Sequence, residues 1–538
     1  MSLFIVGAVT LLGVRVPAMA TVTRFVVHPI ALAVPSKPDP ATTRPHLIRS
    51  TFFDNGIRPL LVNDSTTSIR SWGVLSAPTD GSGPFPLAIV LHGAHSFCST
   101  GPSRSWPCAD RSEVANHDGL SWLTEALARR GFVAIAIGIN AEYAHPTNKV
   151  AALSASIIER DVLAPLSDTN GRFAAWLDPR IVDLSTVILV GHSRGAAVAA
   201  VLGRGDEGRA LRVPIAATIL LAPTSETVSP ALVADVPAAV FIGSCDGDTG
   251  VDGGQFFTAS MSRVRRTPLA LVLLRGATHN ATNDRLPPES SERANPDCAD
   301  NIRLDPDAQR SRLAELVPNF IRGLRGYSGS SNGQTIDVRR ADDRIAPGIR
   351  LVHLDPTSRR RTILDPAYGW PFRGAMATQL RVDRCPGGMS SPFRAPGTQQ
   401  CHRFELTELV GRPASTRFAW TTAGATLRLS HQRLSAGTVL VIRAFADPLS
   451  FKPGAEVTAT LTGTSSESPQ QVWLMRLRFP VDAVGEPITD SGLRRGAVLW
   501  SERRIVVPSA TGSTTLTING PTSGALDIVR IEAVITTP

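Results

Sequence analysis

The sequence predicts a doubly wound, mostly parallel α/β sheet followed by an all-β sandwich or jelly roll. Three observations carry that expectation. Between Phe85 and Leu324, apolar runs of strand length alternate with helix-length amphipathic segments, the pattern of a parallel sheet covered by helices on both faces. One run, Val187 to Val190, ends in Gly191-His192-Ser193-Arg194-Gly195 and passes directly into an Ala-rich segment. A strand, a sharp turn and a helix in that order present a serine at the edge of a sheet. Beyond the linker-like stretch Gly326 to Gly333, the segments become short, alternate apolar with polar residues and are separated by Gly, Pro and Ser, as in antiparallel sandwiches.

Taken in order, Ile69 to Pro78 reads as an early strand, and Phe85 to Gly93 as a buried strand ending in His-Gly. Leu120 to Arg130 has helical apolar spacing and stops at Gly131, a helix C-terminal signal. Phe132 to Ile139 is a strand, Val150 to Leu163 a helix, and the elbow strand and its helix follow. Val213 to Ala222, Pro237 to Gly243 and Pro268 to Leu274 are further strands, and Gln309 to Leu324 is a closing amphipathic helix. In the second part, Thr426–Leu429, Val439–Phe445, Glu456–Leu461, Gln471–Phe479, Arg504–Val507 and Ile528–Ile535 are strand candidates. The expected division is 1–20 targeting segment, 21–45 flexible segment, 46–326 α/β domain, 327–340 linker and 341–538 sandwich.

At 538 residues, with 43% hydrophobic and 19% charged residues, the chain supports large cores and is not globally disordered. The net charge is +9, and residues 331–538 hold 25 Lys/Arg against 17 Asp/Glu, or +8 of it. No basic run interleaved with aromatics and no nucleic-acid motif accompanies that charge, so no nucleic-acid partner is expected. Leu3 to Val14 is an apolar run of signal-peptide length, and Ala18-Met19-Ala20 fits a cleavage site after Ala20. Met1-Ser2-Leu3 lacks the usual positive charge, while Arg15 and Pro17 interrupt the run before it could span a bilayer. These features predict export, to the periplasm or beyond, without an integral membrane anchor. The six cysteines suit an oxidising compartment. Proximity pairs Cys98 with Cys108 and Cys385 with Cys401, leaving Cys245 with Cys298. None has zinc-ligand spacing, and no metal or cofactor is expected.

A serine hydroxyl needs a base within hydrogen-bond reach, and the base needs an orienting acid. In a doubly wound sheet these groups sit on loops at the carboxyl ends of strands. Ser193 is the candidate nucleophile. Gly243-Ser244-Cys245-Asp246-Gly247-Asp248 follows one later strand and Arg275-Gly276-Ala277-Thr278-His279 follows the next. His279 is therefore the candidate base and Asp246 the favoured acid, with Asp248 as the alternative. His92 and His95 precede the serine and lie in a different loop. The backbone N–H of Arg194, and that of Ala94 after Leu91-His92-Gly93, are the candidate oxyanion donors. His95 is a candidate substrate contact. A Cys245–Cys298 bridge would clamp the acid loop.

With these motifs in this order, the first 325 or so residues resemble the α/β-hydrolase superfamily, closest to exported bacterial serine esterases and lipases of the cutinase-like or dienelactone-hydrolase-like branch. The resemblance implies a Ser193–Asp246–His279 triad, an oxyanion hole at Ala94 and Arg194, and cleavage of carboxylic esters. The second part is similar only in strand pattern to carbohydrate-binding jelly rolls, which suggests a carbohydrate or cell-surface ligand by analogy. The connection Pro223–Val236 is too short for a lid domain, so an open site suited to short acyl esters or to esters on polymers is expected. Acyl transfer or amide cleavage would use the same groups, and a non-catalytic surface-binding protein on a hydrolase scaffold is the reading from another class.

Overall fold

The structure is a computed structural model. It describes the chain from residue 44 onward apart from 63–64, 101–105, 109–111, 145–146, 206–210, 226–230, 251, 262, 290–302, 327–343, 347, 365–376, 379, 386–414, 422–424, 430–432, 447–450, 452–455, 466–469, 481–482, 485–496, 499–500, 520–522 and 536–538. The expected targeting segment, nearly all of 21–45, the linker 327–340, Cys298 and Cys401 lie outside the described residues.

The first part runs β1 (Ile48–Val62), β2 (Ser65–Pro78), β3 (Phe85–Leu91), α1 (Ser121–Arg129), β4 (Val133–Ile137), α2 (Asn140–Tyr143) and α3 (Thr147–Ile157). A π-helical stretch, Ile158–Leu163, joins α3 to α4 (Ala164–Ser167). Then come β5 (Val182–His192), α5 (Arg194–Arg204), β6 (Ile215–Leu221), β7 (Ala238–Gly243), α6 (Gln255–Met261), β8 (Leu269–Leu274) and α7 (Pro306–Gly326). After the expected linker come β9 (Arg344–Ala346) and β10 (Ile349–Leu354). The ten strands make one sheet in the order β1-β2-β4-β3-β5-β6-β7-β8-β10-β9. From β4 to β8 the pairings are parallel, and β2 joins β4 antiparallel. Every residue of β4, β7 and β8 is buried, because both faces of the sheet are covered. Along β3, Leu87, Ile89 and Leu91 enter one core while Ala88 and Val90 enter the other, as the two-residue side-chain period requires.

Two features differ from the sequence reading. The long β1 was not expected. A register shift between Asp54 and Ile57 interrupts its pairing with β2, and Phe52 and Ile57 are exposed, so its apolar alternation is broken. Residues 344–354 were assigned to the sandwich, but they add two antiparallel strands to the first sheet, with Ile349 opposite Leu274 and Leu354 opposite Leu269.

The sandwich contains β11 (Arg360–Leu364), β12 (Ala377–Thr378), β13 (Leu380–Cys385), β14 (Ser415–Trp420), β15 (Thr426–Leu429), β16 (Val439–Ala446), β17 (Glu456–Thr464), β18 (Gln471–Pro480), the short pair β19 (Ala483–Val484) and β20 (Ala497–Val498), β21 (Ser501–Val506), β22 (Ser513–Ile518) and β23 (Gly524–Val534). One antiparallel sheet has the order β13-β14-β23-β16-β21 with β11 on β23, and the other β12-β15-β22-β17-β18. Phe418, Ile442 and Ile528 of the first sheet share a core with Leu461, Trp473 and Leu516 of the second.

The sandwich meets the α/β part around the amino end of β8. Arg360 donates to the carbonyls of Met261 and Arg263, and Thr357 accepts from the Arg265 N–H. Arg443 is fully buried there, paired with Glu502 and Glu532 and donating to the His353 carbonyl. The carboxyl ends of the parallel strands, where Ser193, Asp246 and His279 lie, point the other way from these contacts.

Candidate active site

Ser193 sits between β5 and α5 with φ 56° and ψ −126°. A non-glycine residue rarely adopts such a backbone, and surrounding structure must hold it there. The two elbow glycines are required by contact. A Cβ on Gly191 would lie 2.3 Å from the Gly195 carbonyl oxygen, and one on Gly195 would lie 2.4 Å from the carbonyl oxygens of Leu91 and His92. The β3 loop is packed as closely, since a Cβ on Gly93 would lie 2.7 Å from the Ser193 Cβ. Thus the loop bearing Ala94 and the amino end of α5 bearing Arg194 converge on the serine. Among the described residues, no hydrogen bond uses the backbone N–H of Ala94 or Arg194.

The carboxyl ends of β7 and β8 supply the other two groups. His279 Nδ1 lies 2.9 Å from Asp246 Oδ2, and both side chains are buried. Asp246 also accepts the backbone N–H groups of Asp248, Thr249 and Gly250 and the Thr249 hydroxyl. A carboxylate so held can move little, which fixes the imidazole ring as well. Asp248 does not compete for Nδ1. Its Oδ2 is 3.4 Å from His279 Nε2, on the opposite side of the ring, and its side chain is 67% exposed. That contact is not aligned for a hydrogen bond, and Nε2 is buried without a partner. Burial alone would depress the His279 pKa. The charges of Asp246, Asp248 and Glu289 and the Asp246 hydrogen bond outweigh it and push the value up to about 9.

The other histidines divide into two roles. His92 is part of the frame: Nε2 accepts the Ile139 N–H, Nδ1 lies 2.7 Å from the Gly93 carbonyl oxygen, and the Tyr143 hydroxyl donates to the His92 carbonyl. Burial lowers its pKa to about 4, so it is neutral. His95 and His192 stack at 5.7 Å, and the His192 ring is 4.7 Å from that of His279. Burial first, and then the neighbouring imidazoles, keep His192 neutral. The short Pro223–Val236 connection predicts an open site, yet Ser193 is only 4% exposed and His279 is fully buried. The β3 loop packs closely against Ser193, and the His192 ring lies against that of His279.

No known family profile and no curated protein matches this chain. Solved structures similar to it include a dienelactone hydrolase-like promiscuous phosphotriesterase from metagenomic libraries, at 17% identity over 52% of this chain and 98% of the other, with a TM-score of 0.31. A fungal esterase from Rhizomucor miehei is similar at 12% identity over 54% of this chain and 88% of the other, with a TM-score of 0.30. The sheet order, the parallel centre and the strained serine between β5 and α5 decide the fold without those likenesses. It is an α/β-hydrolase fold.

In this fold, the loops bearing Asp246 and His279 are held by groups that carry no sequence motif. The Cys245 N–H donates to the Ala277 carbonyl, and the Gly276 N–H to the Ser244 hydroxyl. Gln309, buried on α7, pins Thr278 from both sides, accepting its N–H and donating to its carbonyl. Glu289 accepts the backbone N–H groups of Gly247 and Asn280. No pattern around Gln309 or Glu289 announces these roles, since each acts on a loop distant in the chain. Cys98 and Cys108 form the expected disulfide. Cys245 and Cys385 are also disulfide-bonded, and their expected partners lie outside the described residues. Among the described residues, no group of three or more His, Cys, Asp or Glu side chains could hold a metal ion, and no helix is long and apolar enough to cross a membrane.

Proposed function

We propose that this hydrolase cleaves carboxylic esters through an acyl-enzyme on Ser193, after export from the cell. The observations that support the reading are the strained serine between β5 and α5, the Asp246-bound His279 on the loop after β8, and the unused N–H groups of Arg194 and Ala94. His279 Nε2 takes the Ser193 hydroxyl proton as Oγ attacks the ester carbonyl. The charge that develops on the carbonyl oxygen meets the two N–H groups and the positive end of α5. The imidazolium is stabilised by Asp246 and returns its proton to the departing alcohol. Water then repeats the sequence to release the acid. Because the neutral imidazole is the base and His279 favours its charged form, activity rises with pH through about 9.

Replacing Ser193 with Ala should lower turnover of p-nitrophenyl acetate by at least about 10³-fold. Hydrolysis that survives in the purified variant would refute the mechanism. The wild type should prefer short acyl chains, because Ser193 and His279 are already crowded by side chains. Preference for long chains with interfacial activation would defeat that part of the reading. Acyl transfer and amide cleavage share these groups, and sugar and amine acceptors or an amide substrate in the same assay distinguish them.

A further inference from the structure

Asp246 and His279 reach one another from separate loops, and their 2.9 Å contact depends on how those loops are registered. On the side preceding each residue the loops are joined by the Cys245 N–H to Ala277 carbonyl bond and by the Gly276 N–H to Ser244 hydroxyl bond. On the side following each residue, a single carboxylate joins them. Glu289 Oε2 accepts the N–H of Gly247, next after Asp246, at 3.2 Å, and Oε1 accepts the N–H of Asn280, next after His279, at 2.9 Å. The Asn280 side chain donates in turn to the Pro287 carbonyl, which closes the turn that presents Glu289.

We propose that Glu289 is a positioning residue, a carboxylate strap that sets the distance between the acid and base of the proposed triad. This inference rests on the serine hydrolase reading. Two acceptors on one rigid planar group fix the spacing of the two N–H groups they bind, so the strap resists separation of the loops. A shift of about 1 Å at a catalytic group can cost about 100-fold in rate. The strap also adds charge. Asp246, Asp248 and Glu289 all act on the His279 imidazole, whose ring also packs against those of His192 and His95. Burial, then the Asp246 charge, raises the pKa of Glu289 itself, partly offset by its two hydrogen bonds and His279. Acid therefore releases the strap earlier than it would an ordinary glutamate.

The test uses the full chain with Glu289→Gln, Glu289→Asp and Ser193→Ala, the rates of the Glu289 variants being expressed per site titrated with a fluorophosphonate and that of Ser193→Ala per mole of purified protein. Gln keeps the shape but turns an amide N–H₂ toward one of the two N–H donors. Asp keeps the charge but is too short to reach both. The strap predicts that kcat on p-nitrophenyl acetate falls by about 10-fold or more in both variants, with KM changed by less than about 2-fold. The pH limb should move to lower pH in Glu289→Gln and stay in place in Glu289→Asp. Wild-type kcat in both variants would overturn the strap, as would a loss that merely follows the folded fraction measured by circular dichroism. If Ser193→Ala remains active, the serine hydrolase reading fails instead. An inactive Ser193→Ala beside fully active Glu289 variants refutes the strap alone.

Discussion

Asp248 stands 3.4 Å from His279 Nε2 and is 67% exposed, so Asp248→Asn removes a charge from beside the proposed base without disturbing the Asp246 hydrogen bond. Two unit charges at 3.4 Å interact by about 1.2 kcal/mol in a water-like dielectric. That dielectric suits a carboxylate as solvent-screened as this one. The energy corresponds to about 0.9 pH unit. The direction follows from the sign of the charge. A carboxylate favours the imidazolium, so its loss lowers the His279 pKa from about 9. The neutral, base-competent fraction near pH 7.5 should then increase about six-fold. The assay is kcat/KM for p-nitrophenyl acetate from about pH 6 to about pH 10. The midpoint of the rising limb should fall by about one unit, with the plateau little changed. A midpoint that stays in place or rises would refute the electrostatic argument. Loss of the plateau would show that Asp248, rather than Asp246, orients the base. Asp246→Asn is the counterpart: it should cost about 10⁴-fold in kcat, because it permits the wrong imidazole tautomer.

Further outcomes follow from packing. Gly191→Ala places a Cβ 2.3 Å from the Gly195 carbonyl oxygen, where only backbone can give way. It should destabilise the protein by about 3 kcal/mol and abolish fluorophosphonate labelling of Ser193, read by thermal melting and intact mass. A variant that is stable and labelled normally would contradict the close approach. Arg443→Met leaves Glu502 and Glu532 without the fully buried guanidinium between them and should cost about 3–5 kcal/mol in chemical denaturation. The folded variant should keep wild-type kcat, because that network lies at the amino end of β8. A selective loss of kcat would show that the sandwich reaches the site.

Sequence alone made the elbow legible because its signals are local. A strand, two glycines and a small-residue helix are contiguous in the chain; the close backbone that requires Gly191 is local, whereas Gly195 is required by the Leu91 and His92 carbonyls of β3 and its loop. The proposed base and acid were legible through order, since each falls just after an apolar run of strand length. The choice of Asp246 over Asp248 was only a preference in the sequence. It rests in the structure on which carboxylate meets Nδ1, a matter of side-chain direction that residues two apart on one loop cannot reveal. β1 escaped notice because its register shift and exposed Phe52 and Ile57 break the alternation by which strands are recognised. Residues 344–354 follow a linker-like stretch, and the pairing of β10 with β8 that returns them to the first sheet is a contact between segments some 80 positions apart. Glu289, Gln309 and the ion network around Arg443 share that character. Sequence determined which chemical groups the protein possesses and the order in which strands deliver them. Tertiary structure decided which of them touch, because hydrogen bonds and charge pairs act over about 3 Å in space, whatever the distance along the chain.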